Sequence, residues 1–163
     1  MSTLVVNFMN LNFYDMLKIG DRMPDFEVVD QDGNQVSSKD LIGKKTVVYF
    51  YPKDNTSGCT AEACSIRDNY ESLVAKGYNV IGVSKDSAAS HRKFREKYDL
   101  PFTLLSDTST QMLQAFGAWG EKKMYGKTVM GTIRKTFIFD EDRTLIEIIE
   151  KVDTGNHAAQ ILK

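Results

Sequence analysis

Two short apolar runs, Thr46-Val47-Val48-Tyr49-Phe50-Tyr51 and Asn79-Val80-Ile81-Gly82-Val83-Ser84, are separated by a stretch whose apolar residues recur at helical spacing. This alternation constrains the fold more than any other feature. The first run is nearly all β-branched and aromatic, the pattern of a strand covered on both faces. Between the runs, Ala63, Ile66, Tyr70, Leu73 and Val74 mark one helix face, beginning at Cys59 or Thr60 and stopped by Gly77. A second helix is predicted from Ser87, a suitable N-cap, to Tyr98, with Pro101 beyond its end. Strands joined by helices imply parallel neighbours, right-handed crossovers and a sheet between helical layers.

The flanking segments complete a mixed sheet. Phe26 to Val29 and Gln35-Val36 surround Asp32-Gly33-Asn34, a turn signal that predicts an N-terminal β-hairpin. Phe102 to Leu105 reads as a strand, Thr108 to Phe116 as a third helix closed by Gly117, and the stretch after it as a loop. Thr132 to Asp140 and Thr144 to Val152 read as two strands joined by the tight Glu141-Asp142-Arg143 turn, and Asn156 to Lys163 as the start of a last helix.

A chain of 163 residues is the size of one domain and buries on the order of 70% of its unfolded surface. Its formal net charge is -1 with no single-sign block, which gives no electrostatic basis for binding nucleic acid or an anionic membrane. No run approaches the ~20 apolar residues of a membrane span. Met1 to Tyr14 carries no basic residue and no small-residue cleavage site follows it, so it does not read as a signal peptide. Residues 1–15 are expected to be an extension outside the fold, residues 16–163 a single domain, and the protein cytoplasmic.

In that compartment thiols start reduced, so a cysteine pair points to catalysis or metal binding rather than to a structural staple. Cys59 and Cys64 are the only cysteines, and Cys59 falls where the first strand gives way to its helix. Free N–H groups and the positive dipole end of a helix stabilise a thiolate, the nucleophilic form of cysteine. Peroxide reduction needs more, because the leaving oxygen gains charge as the O–O bond breaks and must be met by placed donors. The Thr56 hydroxyl and the guanidinium of Arg134, on the Thr132-to-Thr136 strand, are candidates. On an ideal helix the two cysteine Cα atoms stand about 8.7 Å apart, whereas a disulfide needs roughly 4.4–6.8 Å. Any bond between them therefore requires the first helical turns to unwind.

The run Tyr51-Pro52, Thr56-Ser57-Gly58-Cys59-Thr60, Glu62-Ala63-Cys64 resembles the peroxiredoxins, specifically the bacterioferritin comigratory protein or peroxiredoxin Q branch. Ile66-Arg67-Asp68, Phe102 to Asp107, Phe116 to Lys122 and Gly131 to Arg134 extend the resemblance from about Gly20 to the C-terminus. It implies an α/β, thioredoxin-like fold in which a central mixed β-sheet is flanked by α-helices. Cys59 would be the peroxidatic cysteine that attacks hydrogen peroxide or an alkyl hydroperoxide and becomes a sulfenic acid. Cys64 would be the resolving cysteine, Pro52, Thr56 and Arg134 would frame the peroxide, and Glu62 would support them from behind. The resulting intramolecular disulfide would be reduced by thioredoxin, with no metal or other cofactor, in a monomer or weak homodimer. Ser57 stands where many relatives carry Pro.

Other readings of the same residues are a disulfide oxidoreductase, which would use a C-x-x-C pair where four residues intervene here, and a thiol redox sensor acting on protein partners. Taken alone, the cysteines also fit a buried apolar role. His91 and His157 lack ligand-like spacing, which argues against zinc, and read as surface residues. Trp119 reads as core or loop packing near the site, and Phe94 as the inward residue of an otherwise solvated helix face.

Overall fold

The computed structural model describes residues 16–163, so the expectation for residues 1–15 lies outside the described residues. A seven-stranded mixed sheet has the order β2 (Gln35–Ser37), β1 (Glu27–Asp30), β5 (Thr103–Ser106), β4 (Tyr78–Ser84), β3 (Lys45–Phe50), β8 (Lys135–Phe139) and β9 (Leu145–Ile149). The hairpin β1 (Glu27–Asp30) and β2 (Gln35–Ser37) closes as predicted. Gly33 supplies the left-handed turn residue (φ 80°), and Asp30 Oδ1 accepts the N–H groups of Asp32 and Asn34. In the interior, β3 (Lys45–Phe50) and β4 (Tyr78–Ser84) run parallel with Val47 opposite Val80, and β5 (Thr103–Ser106) joins β4 in parallel. The antiparallel strands β8 (Lys135–Phe139) and β9 (Leu145–Ile149) complete the other edge.

Side chains of β3 alternate between the two faces of the sheet. Val48 and Phe50 enter one apolar cluster with Leu113, Phe116 and Phe137. Val47, Tyr49 and Tyr51 enter another with Cys59, Ala63, Ile66, Phe94 and Ile161. The second cluster is covered by α1 (Ser57–Asp68), α2 (Tyr70–Ala75), α3 (Ala88–Tyr98) and α5 (His157–Leu162), whereas the short α4 (Gln111–Ala115) lies on the first.

Three expectations change. The helix predicted to run on to Lys76 breaks at Asn69, whose side-chain amide donates to the Ser65 carbonyl and competes with the helical ladder. The stretch read as a loop is a two-stranded ribbon, β6 (Trp119–Met124) and β7 (Lys127–Thr132), turned by the left-handed pair Tyr125 and Gly126. It escaped prediction because its strands are rich in lysine and, Trp119 apart, contribute no side chain to the two apolar clusters. The strand predicted from Thr132 to Asp140 begins only at Lys135, Thr132 instead ends β7, and Arg134 lies in the break between β7 and β8 rather than within a strand.

Candidate active site

The sequence turns sharply out of β3 into Pro52 to Thr56, and that loop is held by buried polar contacts. Asp54 Oδ1 accepts from the Tyr51 hydroxyl at 2.6 Å, Asp54 Oδ2 accepts from Ser90 and lies 2.7 Å from His91 Nδ1, and the Asp54 N–H donates to Asp86. His91 Nε2 reaches the Leu105 carbonyl at 2.9 Å. His91 is therefore a fully buried anchor of the loop, not a surface residue. It lies three residues before Phe94 on the inward face of α3, a spacing that the helical period could have revealed. Asp54, Asp86 and His91 bring possible ligand atoms within 4.8 Å of one another, and hydrogen bonds within the loop already engage those atoms.

The anchored loop delivers Thr56 as the N-cap of α1, with extended backbone and its carbonyl accepting from Thr60 N–H. Cys59 consequently occupies the first turn, almost fully buried, with its sulfur at the helix end where backbone N–H groups lack helical partners. The Thr56 hydroxyl donates to the Lys53 carbonyl at 2.9 Å. Its proton is thus engaged, and toward a ligand it offers oxygen lone pairs rather than the donor expected from the sequence. Pro52 is half-buried in the same loop.

The break between β7 and β8 sends Arg134 across to this helix end. Its Nη2 donates to Cys59 Sγ at 3.3 Å and its Nη1 to Glu62 Oε1 at 2.7 Å. A Cβ at Gly58 would stand 3.4 Å from Arg134 Nη2, an ordinary van der Waals contact, so this helix turn lies directly against the guanidinium. Burial alone would weaken the guanidinium's hold on its proton, but Glu62 and Cys59 outweigh it, and its pKa rises. Burial pushes the Glu62 carboxyl up to about 7 against the opposing pull of Arg134.

Behind Glu62 stands His157, also fully buried and also misread as a surface residue. Its ring contacts Thr136 Oγ1 and Gln160 Oε1, each at 2.7 Å, and burial lowers its pKa. Its neighbours Ala158 and Ile161 are buried on the same short helix, which was the available signal. Tyr49 lies against His157 edge-on, and its burial together with Glu62 and Cys59 holds the phenol well above its ordinary pKa. Trp119 packs on the first apolar cluster with Lys85 over its ring.

Cys64 follows on the same unbroken helix, partly exposed, and both cysteines are free thiols. The structure thus brings together Cys59, Arg134 and Glu62, places Pro52 and Thr56 at the two ends of the loop that leads into the same helix, and holds Cys64 one helical turn and more away.

Residues 19–148 match the AhpC/TSA family. The chain is 44% identical over 147 residues to the peroxiredoxin Bcp of Bacillus subtilis, covering 90% of this chain and 94% of that one. It is likewise 44% identical over 146 residues to the peroxiredoxin Bcp of Escherichia coli, with the same coverage. Among solved structures, a cysteine-to-serine mutant of Xylella fastidiosa PrxQ superposes with a TM-score of 0.83 at 30% identity, covering 90% of this chain and 93% of that one. The bacterioferritin comigratory protein of Xanthomonas campestris gives 0.79 at 34% identity, over 84% and 87%. The chain belongs to the AhpC/TSA family of peroxiredoxins. Its sheet and helices are the thioredoxin-like arrangement of these neighbours, as the resemblance implied.

Proposed function

We propose that this protein is a thiol-dependent peroxidase that reduces hydrogen peroxide and organic hydroperoxides in antioxidant defence. The observation that carries the reading is the Arg134 guanidinium 3.3 Å from a buried cysteine sulfur in the first turn of a helix. The Cys59 thiolate attacks the distal peroxide oxygen, an S–O bond forms as the O–O bond breaks, and the departing oxygen takes a proton to leave as water or alcohol. Arg134 stabilises both the thiolate and the developing negative charge, which is the largest contribution a preorganised donor makes. Thr56 accepts the peroxide O–H, and Pro52 shapes the approach.

The Cys59 sulfenic acid then meets the Cys64 thiol, an S–S bond forms, and water leaves with the sulfenic oxygen. A dithiol reductant, for which we favour thioredoxin, restores both thiols by exchange. Because Cys59 and Cys64 share α1, resolution needs local unwinding but no second subunit. Residues 16–163 form the working domain in this reading, in a cytoplasmic monomer or weak dimer. Among the described residues no helix is long and apolar enough to cross a membrane.

The test is a single turnover of pre-reduced protein with one equivalent of hydrogen peroxide, followed by mass analysis of the peptide joining Cys59 and Cys64. Rapid peroxide loss with a two-hydrogen mass decrease on that peptide supports the mechanism. Thiols that stay reduced for minutes would favour a sensor or scaffold instead.

A further inference from the structure

The ring of His91 is fully buried, and both of its nitrogens face oxygen acceptors. Nε2 stands 2.9 Å from the Leu105 carbonyl, which can only accept, so Nε2 carries a hydrogen. Nδ1 stands 2.7 Å from Asp54 Oδ2. That oxygen also accepts from the Ser90 hydroxyl at 2.8 Å, while Oδ1 accepts from the Tyr51 hydroxyl at 2.6 Å. The Tyr51 hydroxyl, 3.4 Å from Nδ1, is thus engaged by Asp54 and offers the ring only lone pairs. Burial, then Tyr49 and Asp54, hold that phenol well above its ordinary pKa, so it remains a donor.

A bare Nδ1 at this distance would set its lone pair against a carboxylate in a site closed to solvent, where such a conflict is costly. A hydrogen on Nδ1 turns the same contact into a charge-assisted hydrogen bond, and 2.7 Å is the length of one. Asp86 adds to the demand for a cation. Its carboxylate accepts the Asp54 N–H at 2.8 Å, and ligand atoms of Asp54, Asp86 and His91 all lie within 4.8 Å of one another. The titratable groups meeting at the ring are therefore Tyr51 just after β3, Asp54 in the loop and Asp86 ahead of α3, all acidic. Lys93 and Lys97 of α3 are exposed and line a surface cleft with Asp54 and Asn55.

We propose that His91 is held in the imidazolium form, and that its buried ion pair with Asp54 makes it a positioning residue for Cys59. Asp54 lies two residues before Thr56, the N-cap of α1, so the pair fixes the turn from which Cys59 is presented. Through this one carboxylate the turn is tied to the end of β3 at Tyr51 and to α3 at Ser90 and His91, and the ring carries the tie on to β5 at Leu105. Loss of the Nδ1 hydrogen leaves the Asp54 carboxylate against a ring lone pair and beside Asp86, and the turn must move to relieve it. Displacing a reacting group by about 1 Å can cost up to ~10²-fold in rate. Only this catalytic consequence rests on the peroxidase reading.

The experiment is ¹⁵N NMR of the His91 ring in the full chain carrying Cys59→Ser, whose thiol no longer titrates, beside stopped-flow rates of the first oxidation of the reduced wild type by hydrogen peroxide. Near neutrality both ring nitrogens should show a directly bonded hydrogen. As pH rises, Nδ1 should lose its hydrogen, and the Asn55 and Thr56 amide signals should move with the same midpoint. The wild-type rate should fall there too, against the rise that thiol ionisation gives. His91→Phe should slow the first oxidation about tenfold, within the range of such a displacement, and should lack the alkaline fall. Adding Asp54→Asn to it should recover part of the rate, because an amide needs no counter-charge. A single ring hydrogen near neutrality, amides that stay in place when the second hydrogen leaves, or no recovery in the double variant would overturn the proposal. The NMR arm uses no His91 variant, so it decides even where those variants fold poorly. If that arm succeeds while the wild type leaves peroxide unconsumed, the peroxidase reading fails and the ion pair stands.

Discussion

Arg134 Nη2 lies 3.3 Å from Cys59 Sγ, although the two residues are 75 positions apart and reach each other only because the β7–β8 break faces the start of α1. The same guanidinium donates through its other arm to Glu62. The two arms diverge from one rigid plane, so sulfur and carboxylate fix the orientation of the group together.

This geometry distinguishes charge from shape. Arg134→Lys keeps a cation but offers a single mobile ammonium in place of two fixed donors, and cannot hold both sulfur and carboxylate. The first oxidation by hydrogen peroxide, followed by stopped flow, should slow roughly 10²-fold, the scale of losing one preorganised donor. Arg134→Ala should in addition lower stability in a urea melt by about 3 kcal/mol, because Glu62 is then buried without its cation. A lysine variant with the wild-type rate would show that charge alone suffices.

Glu62 makes stability depend on pH in an unusual direction. Its carboxyl is raised from the ordinary 4.5 to about 7 by burial. The folded state thus binds more protons than the unfolded state between those values, and stability falls as pH rises through that window. Its contribution is fully present below about pH 4.5 and lost above about pH 7, a change of about 3 kcal/mol. His157, whose pKa burial lowers, works in the opposite sense and gives stability that grows as pH rises toward its ordinary value. Denaturation of wild type and Glu62→Gln across this range isolates the carboxyl. The difference between them should shift toward the variant as pH increases, and parallel profiles would contradict the assignment.

Most of the framework was legible in the sequence because the interior strands and α1 carry strong periodic patterns, and Cys59 sits where those patterns meet. The position of Arg134 was legible only through resemblance, since nothing in a lone arginine says which helix end it will face. The two histidines were misread for a related reason: a buried imidazole is acceptable only when its nitrogens are paired. For His91 the partners are Asp54 and the Leu105 carbonyl, and for His157 they are Thr136 and Gln160, mostly distant in sequence. The β6–β7 ribbon was missed because Lys122, Lys123 and Lys127 hide a strand that pairs only with its own partner.

Gly58 separates stability from activity. An alanine Cβ would meet Arg134 Nη2 at 3.4 Å and Thr154 Cγ2 at 3.9 Å, contacts that need no rearrangement. Gly58→Ala should raise stability by roughly 0.5–1 kcal/mol, because alanine favours the helix, with the first oxidation changed less than about threefold. Gly58→Val adds two branches in the same space and should displace the guanidinium, with the rate falling by about tenfold or more. Equal rates in both variants, measured alongside thermal melts, would show that the guanidinium is not confined by this helix turn.

Resolution, unlike peroxide attack, should be sensitive to the stability of α1 itself. Cys59 and Cys64 lie on one continuous helix, where ideal geometry keeps their Cα atoms about 8.7 Å apart, beyond the reach of roughly 4.4–6.8 Å that a disulfide allows. The turns between them must open, and the Ser65 hydroxyl, which accepts the Ala158 N–H at 3.1 Å, ties the adjacent turn to α5. Thr60 sits partly exposed between the cysteines, and alanine there strengthens the helix by about 0.5 kcal/mol. Thr60→Ala should therefore slow disulfide formation two- to threefold after a single addition of peroxide, while the preceding sulfenic acid forms at the wild-type rate. The two phases can be separated by trapping the sulfenic acid at successive times and weighing the peptide. If both phases slow together, α1 opens before peroxide attack rather than after it, and the order of events drawn from the shared helix is wrong.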